Sequence, residues 1–167
     1  MFLKYVYMAD NNALGERGES IFKTRITQEN LFSIYFLGEK APIVDFLLEI
    51  NDKDTPYPFM VQVKSTTTGY NKEGKLKVRV TIEKYKALFE RPLPTYIAGV
   101  DIKNETVYIC SAFSDKKNLK SMDTKYRLKF SSPIRTKRVL ELLKQDVIDY
   151  WNNSNITTYK KSFKSSL

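Results

Sequence analysis

Three polar residues, Asp45, Gln62 and Lys64, interrupt two apolar segments that lie close together in the chain. The first segment reads PIVDFLL over residues 42–48, and the second reads FMVQVKS over residues 59–65. Burying an unpaired charge or amide costs several kcal/mol, which is comparable with the net stability of a small domain. These groups therefore need partners, and a carboxylate, an amide oxygen and an amine together suit a metal ion and a phosphate group.

Both segments predict short β-strands, in which side chains alternate between the two faces of a sheet. Gln62 and Lys64 therefore share a face. Asp45, with Val44 and Phe46 on the opposite face, meets them if the two strands are neighbours in a suitable register. Hydrolysis of a phosphodiester needs a cation and a group that orients or deprotonates the attacking water. Asp45 can supply an anionic ligand, Gln62 an amide oxygen, and Lys64 an amine for the water or the phosphate. This pattern is typical of a metal-dependent nuclease.

The chain contains no histidine and a single cysteine, Cys110. The lack of histidine excludes Ser-His and Cys-His nucleophilic pairs, histidine zinc sites and histidine acid–base hydrolysis. One cysteine forms neither an internal disulfide nor a cysteine metal cluster, so we expect a reducing cytoplasm. Any hydrolytic chemistry must therefore use carboxylates, amides, lysines and a hard cation, and oxygen ligands favour Mg²⁺ or Mn²⁺.

Length and composition predict one domain with a sizeable core, since 42% of the 167 residues are apolar and 13% are aromatic. We place this domain at residues 1–151, with a core at 14–112 and a basic extension at 113–151. A flexible basic tail at 152–167 follows. The apolar stretch 1–9 is too short to span a membrane and lacks the features of a secretory signal.

Positive charge is concentrated in the last third of the chain. Residues 1–112 carry 15 Lys and Arg against 14 Asp and Glu, whereas residues 113–167 carry 13 against 5. This asymmetry indicates a polyanionic partner, although a solvated basic surface would show the same composition. The candidate nucleic-acid-binding residues cluster before and at the start of the last predicted helix: Lys116, Lys117, Lys120, Lys125, Arg127, Lys129, Arg135, Lys137 and Arg138.

The hydrophobic pattern predicts a mixed α/β domain with a central sheet. Helices are expected from about residue 14 to 26, with Asp10, Asn11 and Asn12 as possible caps, and at 82–90 and from 133 onward. The last helix carries an apolar stripe of Leu140, Leu143, Val147 and Trp151. The predicted strands span residues 31–37, 43–50, 59–65, 75–80, 95–101 and 106–112. Residues 5–8 read as a short strand or arm, and residues 114–130 as a loop.

Asp45 followed by Gln62-Val63-Lys64 resembles the D…(E/Q)-x-K signature of the PD-(D/E)XK nuclease superfamily. The strings GERGE at residues 15–19 and VQVKS at 61–65 are similar to those of a bacterial branch of unknown function within it. Tyr85, Phe89 and the Pro-led segment 92–97 echo later features of that branch. The resemblance covers about residues 14–112. It implies a restriction-endonuclease-like core, a central mixed β-sheet flanked by helices.

The resemblance also implies an activity, a Mg²⁺- or Mn²⁺-dependent endodeoxyribonuclease. It assigns catalysis to Asp45, Gln62, Lys64 and Glu19, and metal binding to Asp45, Gln62, Val63 and Glu19, with Glu16 as the alternative to Glu19. Gln62 stands where the superfamily usually has an acid, and an uncharged amide is a weaker cation ligand. The alternative is therefore a catalytically inactive nuclease-fold module that binds nucleic acid or a protein partner.

Simpler structural roles stay open for the same residues. Lys64 and Asp45 could form a cross-strand ion pair that holds the register. Glu16 and Glu19 could favour the positive end of a helix dipole. The composition, rich in Lys, Asn and Ile, suits a bacterial cytoplasmic protein, and the superfamily works in restriction, repair, recombination and phage defence. We expect no separate target-recognition domain in 167 residues, so a homodimer or a protein partner would supply selectivity.

Overall fold

A six-stranded mixed β-sheet and three helices form this α/β chain. The computed structural model describes residues 2–38, 41–51, 56–112 and 119–153, with side chains from Asn12 onward. The helices are α1 (Phe2–Thr27), α2 (Ile82–Phe89) and α3 (Pro133–Asn153). The strands are β1 (Phe32–Phe36), β2 (Phe46–Ile50), β3 (Pro58–Thr66), β4 (Thr95–Asp101), β5 (Thr106–Ser111) and β6 (Arg127–Leu128). The predicted fold class, a central mixed sheet flanked by helices, is confirmed.

The strands follow one another across the sheet in chain order, β1-β2-β3-β4-β5-β6. Adjacent strands are antiparallel except for β3 and β4, which pair in parallel over the register Met60↔Thr95 to Thr66↔Asp101. A parallel pair requires a crossover connection, and α2 lies in that connection. The parallel pair places Gln62 beside Ile97 and Lys64 beside Gly99 in the centre of the sheet.

Each face of the sheet has its own hydrophobic cluster. On one face α1 and α3 pack over alternate residues of the strands, as shown by Phe22 and Leu140 in the same cluster as Val61 and Ala98. On the other face α2 packs together with two irregular segments, residues 76–80 and 119–122. Period-two alternation in the strands therefore separates the two cores, and Gln62 and Lys64 belong to the α2 face.

The start of α2 and the buried stripe of α3 follow local rules. Thr81 caps α2, because its Oγ1 accepts a hydrogen bond from the Lys84 N–H at 3.4 Å. In α3 the residues Leu140, Leu143 and Val147 are buried. Trp151 packs against the same cluster and donates its Nε1–H to the Pro58 carbonyl at 2.9 Å. The prediction of an apolar stripe that packs into the core is confirmed.

The first helix begins earlier than the sequence indicated. It runs from Phe2, so the segment predicted as a short strand or arm, residues 5–8, is helical. Asp10, Asn11 and Asn12 do not cap it but lie inside it. The physical reason is that extending an existing helix adds a hydrogen bond for each residue, whereas the preference of Asn and Asp for a cap is worth only about 1 kcal/mol.

Two predicted strands are only partly formed. Residues 75–80 are held by isolated bridges, Tyr70↔Leu76, Leu76↔Met122 and Val80↔Leu119, because their partner segments are themselves irregular. The strand predicted at 43–50 begins at Phe46.

The basic extension and the tail also differ from expectation. The predicted loop 114–130 contributes β6 and two of these bridges. Its residues 114–118, like 154–167 of the predicted tail, lie outside the described part of the chain, whereas Asn152 and Asn153 extend α3. Within the described ranges, no helix has the length and apolar character that crossing a bilayer requires.

Candidate functional site

Asp45 and Gln62 are in direct contact at the end of the β2–β3 ladder. The Gln62 Nε2 donates to the Asp45 Oδ2 at 2.5 Å, and the Val63 N–H donates to the same oxygen at 2.6 Å. The Gln62 Nε2 also donates to the Val63 carbonyl at 3.1 Å. Gln62 is only 4% exposed, so these contacts satisfy an amide that could not otherwise remain buried. The sequence prediction that Asp45 and Gln62 converge is confirmed.

The backbone before Asp45 leaves regular strand geometry. Ile43 has a φ of 83°, a left-handed conformation that is an outlier for a β-branched residue. Val44 therefore packs on the α2 face rather than sharing a face with Phe46, contrary to the alternation expected from the sequence. Strain of this kind is retained where the surrounding structure fixes it, often at functional sites. Here it accompanies the turn that delivers the Asp45 carboxylate to β3.

Helix α1 reaches the same point because a glycine lets it approach β3. A β-carbon at Gly18 would overlap the Ser65 Oγ and lie 2.9 Å from the Ser65 Cβ, so only glycine fits without movement. Gly15, one turn earlier, has no atom within 4 Å of such a β-carbon. The close approach places Glu19 at the site, whereas Glu16 is exposed. Of the two glutamates considered from sequence, Glu19 is therefore the one positioned to act.

These elements enclose a cavity of about 260 Å³, which we call the Asp45 cavity. Its oxygen-bearing side chains are the Glu19 and Asp45 carboxylates, the Gln62 amide and the Ser65 hydroxyl, and Lys64 supplies its one amine. The complete lining consists of Leu14, Gly15, Glu19, Asp45, Gln62, Val63, Lys64 and Ser65. All the residues to which the resemblance assigns a catalytic or metal-binding role thus meet around a single cavity.

Burial and like charge perturb both carboxylates. Burial raises the pKa of Asp45, although the Val63 N–H and the charge of Lys64 act in the opposite direction. Burial also raises the pKa of Glu19, and the nearby charge of Asp45 raises it further. Two carboxylates in one partly buried cavity therefore hold negative charge that the surrounding groups do not fully compensate. A bound cation would relieve this cost.

Lys64 lies near the carboxylates without pairing with them. Among the described residues, the ion pairs within 4.0 Å do not include Lys64, so the alternative of a Lys64–Asp45 ion pair finds no support. Burial lowers the pKa of Lys64, which Asp45 partly offsets and the charge of Lys84 reinforces. The ammonium group is thus held close to the carboxylates and remains available to another partner.

The donor chemistry of the cavity fits a hard divalent cation. Glu19, Asp45, the Gln62 amide oxygen and the Val63 carbonyl are all oxygen ligands of the kind that Mg²⁺ and Mn²⁺ prefer. The described residues contain no group of three or more His, Cys, Asp or Glu side chains that could hold a metal. An amide and a backbone carbonyl must therefore complete the set. The Gln62 nitrogen, which now faces Asp45, would have to exchange places with its oxygen.

The predicted nucleic-acid-binding residues that the structure describes do not line a single cavity. Among them, only Lys120 lines a cavity together with Lys64. Lys125, Arg135 and Arg138 line a separate one, of about 720 Å³, near the start of α3. Arg127 lies in β6, the Lys129 N–H binds the Thr136 Oγ1 at 2.9 Å, and Lys137 is exposed on α3. Lys116 and Lys117 lie outside the described residues.

Sequence reasoning missed two cations beside the site. Lys77 and Arg79 line the cavity that Lys64 and Lys120 share. They alternate with the buried residues Val78 and Val80, so the polar–apolar pattern of residues 75–80 already marked both as exposed. What the pattern did not show was which way this exposed edge faces, because that depends on long-range packing.

The chain was compared with protein-family models, with curated proteins and with solved structures, and none of the three comparisons gives a significant match.

Proposed function

We propose that this protein is a metal-dependent nuclease that hydrolyses phosphodiester bonds in DNA. The observation that carries the proposal is the Asp45 cavity, where α1 and two neighbouring strands bring Glu19, Asp45, Gln62 and Lys64 together. Carboxylate oxygens, an amide and an unpaired amine in one partly buried cavity are the groups that this chemistry uses. The resemblance to the PD-(D/E)XK superfamily rests on the same residues and supports the same proposal.

Each residue has a distinct role in this proposal. Glu19, Asp45, the Gln62 amide and the Val63 carbonyl would hold a divalent cation. When bound, Mg²⁺ or Mn²⁺ supplies charge stabilisation at the scissile phosphate and lowers the pKa of a water molecule. Lys64 donates hydrogen bonds that orient the attacking water or bind a phosphate oxygen, and its lowered pKa makes the transfer of a proton easier. The Val63 N–H fixes the Asp45 carboxylate in place.

A second candidate function follows from one contact. The Gln62 amide donates both its hydrogen bonds within the site, to Asp45 and to Val63, and this closed arrangement would also suit a structural core without chemistry. The protein would then be an inactive nuclease-fold module that binds nucleic acid or a protein partner. The two candidates differ in whether the cavity binds a cation.

Cleavage and metal binding test these candidates directly. The protein is incubated with linear, nicked, forked and four-way DNA, and with RNA, in Mg²⁺ or Mn²⁺, beside the Asp45→Ala and Asp45→Asn variants. We expect wild-type cleavage that both variants abolish. Asp45→Asn should preserve the fold better, since its amide oxygen still accepts the Val63 N–H. Calorimetry with Mn²⁺ should show binding that both variants lose. Absence of both cleavage and Mn²⁺ binding would leave the inactive module as the better description.

A further inference from the structure

A groove of about 590 Å³ adjoins the Asp45 cavity and shares Lys64 and Ser65 with it. We call it the basic groove. Its four cationic residues are Lys64, Lys77, Arg79 and Lys120, and the other lining residues are Ser65, Thr68, Asn71, Val78 and Ser121. No acidic side chain lines it among the residues that the structure describes. A single lysine therefore connects a cavity rich in carboxylates to a groove lined by cations.

Backbone contacts, rather than charge pairing, hold these cations in place. Lys77 and Arg79 are exposed because Val78 and Val80 turn into the core on the α2 face. The bridges Leu76↔Met122 and Val80↔Leu119 align residues 119–122 with this segment. Lys120 therefore joins the groove from a distant part of the sequence.

The cations of the groove are not neutralised within the described part of the protein. Lys77, Arg79 and Lys120 take part in none of the ion pairs within 4.0 Å found there. Lys75, two residues before Lys77, shows the contrast, because it pairs with Glu73 at 2.9 Å. Clustered like charges repel one another, so a groove that gathers them without acids is suited to an anionic ligand.

Four cations spread over a groove of about 590 Å³ favour a chain of phosphates over a single phosphate. Lys77 and Arg79 alternate with the buried Val78 and Val80, so both side chains emerge on the solvent side of this segment. Thr68, Asn71 and Ser121 add neutral hydrogen-bonding groups of the kind that contact phosphate and sugar.

We propose that the basic groove binds the sugar-phosphate backbone of the DNA strand that is cut, on one side of the scissile phosphate. This inference rests on the proposed nuclease function. Lys64 lies at the junction, so a strand that occupies the groove leads directly into the Asp45 cavity. The contacts go to phosphates and not to base edges, so binding through the groove is independent of sequence.

The test compares two pairs of substitutions that remove the same charge. Lys77→Gln/Arg79→Gln removes two positive charges from the basic groove. Lys23→Gln/Lys103→Gln removes two exposed lysines that line neither the groove nor the Asp45 cavity. Binding of a labelled DNA duplex and of the matching single strand is measured without metal, between about 50 and 200 mM salt. The single variant Lys120→Gln reports on the cation that the neighbouring segment 119–122 contributes, and circular dichroism checks folding. Cleavage of the same DNA with Mg²⁺ is measured separately.

We expect the groove pair to weaken DNA binding at least tenfold and to reduce the slope of log K against log salt by about 2, since each phosphate contact contributes about 0.9. The control pair should change binding less than threefold. Equal loss in both pairs, or no binding by the wild-type protein, would overturn the groove assignment. Groove-dependent binding without cleavage would support the groove and reject the nuclease proposal. Cleavage that the groove pair leaves unchanged would support the nuclease proposal and reject the groove assignment.

Discussion

The Asp45 cavity and the basic groove are neighbours with opposite chemistry. The cavity, of about 260 Å³, brings two carboxylates and an amide together with Lys64, whereas the groove, of about 590 Å³, is lined by four cations. Both share Lys64 and Ser65. Under the proposed function, the cavity would hold a divalent cation and the neighbouring groove would hold phosphates. Lys64 belongs to both regions, but it is the one amine of the cavity and one of four cations in the groove, so its loss should affect the cavity more.

The largest effect is expected for Lys64→Ala, which changes both regions at once. Loss of a group that positions water or transfers a proton should lower the cleavage rate by about 10²–10⁴-fold. DNA affinity should fall much less, since Lys77, Arg79 and Lys120 remain in the groove. Single-turnover cleavage and metal-free DNA binding measure the two quantities. If affinity falls as much as the rate, Lys64 serves the groove alone.

Gln62→Glu should change the Asp45 cavity while leaving the basic groove intact. An added carboxylate is an anionic ligand, and two unit charges about 4 Å apart near a protein surface interact by about 4 kcal/mol before desolvation. We therefore expect Mn²⁺ affinity, measured by calorimetry, to rise about tenfold or more. Without metal, the variant should lose about 1–3 kcal/mol of unfolding free energy, because Asp45 exchanges a hydrogen-bond donor for a like charge. Unchanged affinity would show that residue 62 is not a ligand.

Gly18→Ala tests whether the approach of α1 to β3 builds the cavity. The new methyl group would collide with Ser65, and overpacking of this kind costs about 1–3 kcal/mol, part of which the better helix propensity of alanine offsets. Gly15→Ala is the matched control. It meets open space, and its stability should rise by up to about 1 kcal/mol. Urea unfolding measures both, and a rescue of Gly18→Ala by Ser65→Gly would identify the collision. Equal effects at both glycines would contradict the packing role.

The smallest effect is expected at Tyr70, next to the groove-lining residue Asn71. The Tyr70 hydroxyl donates to the Asp101 Oδ2 at 2.8 Å and so ties the loop that carries Asn71 to the sheet. Tyr70→Phe should cost about 1 kcal/mol of stability at neutral pH. It should weaken DNA binding slightly and leave Mn²⁺ binding unchanged. A change in Mn²⁺ affinity would show that the two regions are not separable.

The same contact has a pH dependence of defined sign. Burial alone would raise the pKa of Asp101, but hydrogen bonds from Asn104 and Tyr70 outweigh it and hold the pKa below its ordinary value. A carboxylate whose pKa is depressed in the folded state contributes its full stabilisation at pH values above its pKa in the unfolded chain, which is about 3.9. This stabilisation is lost as the pH falls through the pKa of the folded state. The stability difference between wild type and Tyr70→Phe should therefore shrink in acid. Urea unfolding across this range measures the change, and a constant difference would mean that Tyr70 does not act through the Asp101 charge.

Local sequence patterns were enough to predict β1 to β5 and the charged and amide residues of the Asp45 cavity, but not β6. A short run of apolar, β-forming residues predicted β3 to within one residue at each end. The polar interruptions at Asp45, Gln62 and Lys64 indicated a shared site, because buried polar groups need partners. The GERGE string placed glutamates on the first helix, although it did not decide between Glu16 and Glu19. These features depend on local periodicity and on the cost of burial, and both can be read from a single chain.

The distribution of the basic residues around the site depends on contacts between distant segments of the chain. Composition assigned the positive charge to residues 113–167, yet the groove beside Lys64 takes Lys77 and Arg79 from the earlier part of the chain and Lys120 from the later one. Isolated bridges between residues 76–80 and 119–122 bring them together. The start of β2 at Phe46 and the choice of Glu19 likewise depend on a strained residue and on a close contact at Gly18. Pairings between distant segments are fixed by packing, which local periodicity does not encode.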